Sequence, residues 1–278
     1  MRFYDCTATV AFTLTLLIFA TVPASAGDGE TSASAAVQSP VPPAVAKQHD
    51  LDTSFYSRCI RVGKMPIVGS DQVKKQAFHQ ARQIVRGMLG KRPDILKALV
   101  EQGVYGIIIA DEEKLNDVPE YQHMPDKINK RARGLGPNKP GAPFSGGEEN
   151  LLGYKGGRYT GESIFLHEFA HAVHFALRRE NDQFHKNLKK CYKRAQKKGL
   201  WQDHYANTNV AEYWAETVQS YFDSNAEEPS VHNEINTRSE LKQYDPAVYK
   251  LIDRTFNAPA YRWAKPGHHK KSRYWQDE

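Results

Sequence analysis

The sequence predicts an α+β fold, with a small mixed sheet, a buried helix that carries a paired-histidine motif, and a helical second half. Three observations predict it. Residues 70–90 and 164–177 place apolar side chains at helical spacing. Residues 104–110 are a short, mostly β-branched run that follows Gly103 and reads as a buried strand. Beyond residue 180 the periodic stretches are all helical.

The elements follow in chain order. Arg2 precedes an apolar run from Val10 to Val22, shorter than the ~20 residues a membrane helix needs but suited to a secretory signal. Pro23-Ala24-Ser25-Ala26 supplies small residues at the cleavage positions, so 1–26 is expected to leave between Ala26 and Gly27. The product is expected to be secreted, to the periplasm, the cell surface or the medium. Residues 27–47, rich in Ser, Ala and Pro, read as a flexible linker. The folded domain is expected over 48–278, as lobes of about 48–180 and 181–278.

Within it, Val73, Ala77, Phe78, Ala81, Ile84, Val85, Met88 and Leu89 define an amphipathic helix, and a shorter one over 94–102 stops at Gly103. After the strand, 116–146 is a polar loop region rich in Gly and Pro, with 131–136 expected near a cleft. Residues 149–154 read as a short strand just before the motif helix. Further helices are expected over 182–198, around 210–222 and over 245–256, the second capped by Thr208 or Asn209.

The motif is His167-Glu168-Phe169-Ala170-His171. Histidines four apart project from one face of a helix on successive turns. Both imidazoles can then reach one zinc ion at about 2.0–2.1 Å. Glu168 is placed to act as general base on a water held at that ion. Phe165, Phe169, Val173 and Ala176 give the same helix an apolar face, which argues against two merely solvated histidines.

A third ligand is needed. His174 shares the face, but seven residues put it about 10 Å from His167 along the axis, too far for one ion. It reads as a cleft-lining residue. Position 174 is not Gly and 177 is Leu, so the extended metzincin pattern fails. Downstream, Glu212 and Glu216 stand four apart beside the stripe Ala211, Trp214, Ala215, Val218. Two such carboxylates repel, and a cation would relieve them. Spacing alone leaves open which of the two is the ligand and which hydrogen-bonds a ligand histidine.

These residues resemble a known group. HEFAHAVH, followed about forty residues later by Tyr205-x-x-x-Asn209-x-Ala211-Glu212-x-x-Ala215-Glu216, is similar to the catalytic domain of anthrax lethal factor and its relatives. These are gluzincin metallopeptidases that include secreted proline-specific endopeptidases. The resemblance implies a zincin-like metallopeptidase domain with one Zn2+, held by His167, His171 and Glu212. It implies Glu168 as base, Glu216 behind a ligand, and Tyr205 as donor to the oxyanion. A peptide or protein is the implied substrate. In such folds an edge strand pairs with the extended substrate, which makes Glu148, Glu149 and Tyr154, with His174, candidate substrate contacts.

The net charge is +6, with cations concentrated in 186–198 and 265–273. These read as a solvated helix face and tail, or as contacts to an anionic polymer or acidic substrate. No nucleic-acid module and no membrane span is legible. Beyond Cys6 the chain holds only Cys59 and Cys191, read as one disulfide, as two buried thiols, or with Cys59 capping the metal. The competing function is a secreted basic surface-binding protein with a non-catalytic or absent metal site.

Overall fold

The computed structural model describes residues 36–157, 159–226, 233–267 and 272. The expected signal segment and the first part of the expected linker lie outside these residues. The remainder of that linker is structured. Pro43–His49 forms a helix (α1), Gln38 bridges to Cys59, and Val41 and Val45 are buried with Leu51. The domain therefore begins before residue 48. Two small valines in a Pro/Ala background look like linker until the sheet gives them a partner.

Arg58–Val62 (β1) and Met65–Gly69 (β2) form an antiparallel hairpin, turned at Gly63 with φ 55. Left-handed backbone of that kind favours glycine. The chain then crosses through Lys75–Leu89 (α2) and Pro93–Glu101 (α3) to Gly106–Ile109 (β3), which pairs parallel with β2. A long loop region with three short 3-10 turns leads to Phe144–Gly147 (β4), parallel to β3. One antiparallel and two parallel pairings, in the order β1-β2-β3-β4, make the sheet mixed, as expected.

Alternation along the strands splits the apolar residues between two faces. Ile60, Ile67, Ile108 and Phe144 join one cluster with α2 and the motif helix, Ile164–Glu180. Cys59, Val68, Ile107 and Ile109 join another with Leu115, Val118 and Tyr121.

Residues 149–154 are not the expected strand. Glu148–Leu152 forms a short helix (α4), ended by Gly153 at φ 67. The motif helix (α5) follows, with Ser163 as N-cap. Phe165 and Phe169 pack on Phe144 with ring centroids 5.2 and 5.0 Å apart. A Cβ on Gly146 would come within 3.0 Å of Phe165, so the helix lies directly on β4.

The second half is helical: Asp182–Lys197 (α6), Val210–Tyr221 (α7), Arg238–Tyr244 (α8) and Pro246–Thr255 (α9). Trp214 of α7 is fully buried, donates Nε1–H to the Ala170 carbonyl at 2.8 Å, and stacks on Phe256. Full burial of an aromatic of that size is worth about 1.5–3 kcal/mol, so this contact does much to dock α7 on α5.

The chain finally returns to the first lobe. The Trp263 N–H meets the Phe222 carbonyl at 2.8 Å. Buried Ser272 bonds the Lys155 carbonyl through its N–H and Asp111 through its hydroxyl. Cys59 and Cys191 are both free thiols in separate clusters, Cys59 fully buried in β1. Among the described residues no helix is long and apolar enough to cross a membrane.

Candidate active site

The site is assembled by α5 and α7. Ser163 Oγ accepts from the Leu166 N–H, and Asn150 from α4 fixes the approach: its Oδ1 accepts from the Ile164 N–H while its Nδ2 donates to the Tyr159 and Glu162 carbonyls. On α7, Asn209 is the cap, its Oδ1 accepting from the Ala211 and Glu212 N–H groups. That choice sets which face of α7 looks at α5.

His167, His171 and Glu212 converge. Their nearest atoms form a triangle, with Nε2 to Nε2 at 3.1 Å, His167 Nε2 to Glu212 Oε2 at 3.2 Å and His171 Nε2 to Glu212 Oε2 at 3.3 Å. Ligands at about 2.0–2.1 Å from a tetrahedral zinc stand about 3.3–3.4 Å apart. This is the one group of three or more potential ligands that converges among the described residues. His174 is not in it.

The electrostatics fit a cation at the centre. Burial opposes a charge on His167, yet Glu212, Glu168 and Glu216 outweigh it and lift its pKa to about 10. Burial would raise Glu212, but hydrogen bonds with His167 and His171 hold it well below the usual carboxylate range. Burial raises the Glu168 carboxyl despite the two neighbouring imidazoles. A carboxyl poised that way is suited to take and return a proton.

Behind the cluster lies a residue that sequence reading missed. Gln219 Oε1 is 2.6 Å from His167 Nδ1, and its Nε2 faces only acceptors: Glu162 Oε2 and the Ser163 and Ser224 carbonyls. The amide is thus oriented by its surroundings, and its oxygen requires Nδ1 to carry the proton. The Nε2 lone pair is left for the cluster. Glu216 stands further off, with Oε1 3.4 Å from the same Nδ1 and Oε2 accepting from Asn225. The available signal was spacing: 212, 216 and 219 lie on one face of α7.

Tyr205 sits on a 3-10 turn before α7, about 43 % exposed, its ring centroid 6.5 Å from that of His167. Burial and the nearby carboxylates Glu212, Glu168 and Glu216 push its phenol above the ordinary value, so it remains a donor at neutral pH.

The cleft in front measures about 820 Å³. Its far wall is the segment from Arg131 to Asn138, as the loop composition suggested. Gly136 lies so close to α5 that a Cβ there would be 2.7 Å from the His171 Cβ, and a Cβ on Gly134 would meet Ile164 and Glu168. Leu135 turns its backbone to β4, its carbonyl accepting from the Ser145 N–H at 2.9 Å and its N–H donating to Ser145 Oγ at 3.0 Å.

The other candidate contacts lie elsewhere. Glu148 accepts from the Lys74 N–H and the Tyr154 hydroxyl. Glu149 is bonded to Arg133, both buried, with Arg133 also donating to the Ala110 and Glu113 carbonyls. Glu149 therefore braces the wall from behind through Arg133, and none of Glu148, Glu149 and Tyr154 lines the cleft. His174 does line it, but is buried and 3.1 Å from His185 Nδ1.

With this geometry in place, the comparisons bear on class. The family model described as anthrax toxin lethal factor, N- and C-terminal domain, matches residues 71–255, and the chain belongs to that family. The α+β, zincin-like fold follows. Among solved structures one similar chain is the Pro-Pro endopeptidase of Paenibacillus alvei, 17 % identical, with a TM-score of 0.44 over 65 % of this chain and 91 % of that one. No curated protein matches.

Proposed function

We propose that the protein is a secreted, zinc-dependent endopeptidase. The observation that carries the reading is the triangle of His167, His171 and Glu212, with Glu168 beside it in an open cleft. The donor set, two imidazoles that a metal would hold in their neutral form and one carboxylate, suits zinc and leaves a position open. When bound, the ion supplies a Lewis acid that polarises a carbonyl and makes water acidic.

The chain's own groups do the rest. Glu168 takes a proton from the attacking water and passes it to the departing amine. The Tyr205 hydroxyl donates to the oxygen that gains charge. Gln219 keeps His167 in the tautomer that offers Nε2. The segment from Arg131 to Asn138, which lines the cleft, takes the role of pairing with an extended peptide in this reading, rather than 149–154. Export through the 1–26 segment is part of the same reading.

Metal analysis and a cleavage assay on denatured protein test it. The purified protein is expected to hold one zinc, lost with activity in His167→Ala. Glu168→Gln is expected to keep zinc and lose activity by several orders of magnitude. A wild-type protein that takes up no zinc from zinc-replete buffer, or a Glu168→Gln form as active as wild type, overturns it.

A further inference from the structure

The charges lining the cleft are segregated. The carboxylates, Glu162, Glu168, Glu212 and Glu216, all stand at the centre, around the ligand cluster and the Gln219 amide that backs it. The other ionisable side chains, set apart from the histidines and tyrosines, are Arg131, Arg133 and Arg178. Arg133 is buried against Glu149. Arg131 and Arg178 are exposed, and neither forms an ion pair among the described residues.

These two arginines occupy opposite ends. Gly134 packs on Ile164 and Glu168, and Gly136 on His171, so the wall runs in the same direction as α5. Arg131 thus lies toward the start of the helix, whereas Arg178 lies in its last turn. The surroundings of Arg178 are positive. Burial, followed by the charges of His185, His171 and Arg178, drives His174 down to about 3. Burial, then Lys189 and Arg178, lowers His185, with only Asp182 acting the other way. Asp182 is itself engaged by Lys186 at 2.5 Å. The acids of this end among the described residues, Glu180 and Asp182, are engaged by Gln102 and Lys186, and neither pairs with Arg178.

From this we infer that the cleft selects polypeptides bearing an acidic side chain about three residues from the scissile bond, held by Arg178, with Arg131 favouring a second acid on the other side. The spacing follows from the helix: Arg178 is seven residues beyond His171, about 10 Å along the axis. An extended peptide covers that in about three residues at roughly 3.3 Å each. The inference rests on the peptidase reading for what happens to the bound chain, but not for which chain binds.

The test uses the full chain and two readouts. In a peptide library, wild-type protein is expected to enrich Glu or Asp at the third position on one side of the cut. Replacing that acid by Lys is expected to lower kcat/KM about 5-fold or more, less at high salt. Arg178→Glu is expected to invert the preference toward Lys. The second readout is fluorescence anisotropy of labelled acidic and basic peptides on the Glu168→Gln form, which reports selection without turnover. Tighter binding of the acidic peptide, reversed in Arg178→Glu, supports the inference even in the absence of cleavage. Equal binding, or a profile unmoved by Arg178→Glu, overturns it while leaving the peptidase reading to its own zinc and activity test.

Discussion

The amide oxygen of Gln219 lies 2.6 Å from Nδ1 of His167, closer than either oxygen of Glu216. A neutral amide thus orients this imidazole where a carboxylate was expected. Gln219→Leu is expected to weaken zinc binding about 10–100-fold, as loss of a group orienting a ligand does. Gln219→Glu keeps an acceptor toward Nδ1 but sets its other oxygen against Glu162 and the Ser163 and Ser224 carbonyls, and is expected to restore only part of the affinity. Glu216→Gln is expected to cost less than Gln219→Leu in competition against a zinc chelator. The reverse ranking would make Glu216 the orienting group.

Tyr205 stands seven residues before Glu212 and is brought to the rim of the cluster by a turn packed on α7. Tyr205→Phe is expected to lower kcat by about 10²–10³, the size of one oxyanion donor, with zinc content unchanged. A steady-state assay that finds kcat intact would remove the phenol from the chemistry.

Arg133 and Glu149 bury an ion pair directly behind the glycines of the cleft wall. Removing one partner strands the other charge without water. Arg133→Met is expected to destabilise the fold by about 3–5 kcal/mol, and replacing both by apolar residues is expected to cost less. Urea denaturation of the single and double variants measures the difference. A loss in the double variant equal to the sum of the two single losses would mean that the pair acts as two independent residues.

His174 gives stability a pH dependence. Its folded-state pKa of about 3 lies below the ordinary 6.5, chiefly because it is buried. Between those values the unfolded chain takes up a proton that the folded chain refuses. Its contribution is therefore full above about 6.5 and is lost as pH falls toward 3, by at most about 1.4 kcal/mol per unit. His174→Gln is expected to flatten the slope of unfolding free energy between pH 6 and about 4. A slope identical to wild type would place the acid sensitivity elsewhere.

Periodicity made the two helices of the site legible, because each sets an apolar face against the other and carries its polar ligands beside it. Asn209 could be read as a cap because short polar side chains satisfy free backbone N–H groups. The hairpin over 58–69 and the helix at 43–49 were not legible. Their apolar residues are few and gain partners only across the sheet. Residues 148–152 misled for a related reason. Their carboxylates look like substrate contacts beside an edge strand, but Lys74, Arg133 and Tyr154 meet them inside the fold. Gln219 offered only its spacing from Glu212 and Glu216, since its role is set by Glu162 and His167 on other elements.

Ser272, seated against Lys155 and Asp111, also bears on how the protein is made. Translation delivers the first lobe long before this serine, and lobes tend to fold as they emerge. On the ribosome that lobe must wait with one of its buried polar contacts unmade, and Trp263 has yet to dock on the Phe222 carbonyl. The face of the first lobe at Asp111 and Lys155 is thus completed late, and a nascent chain presents an unfinished version of it.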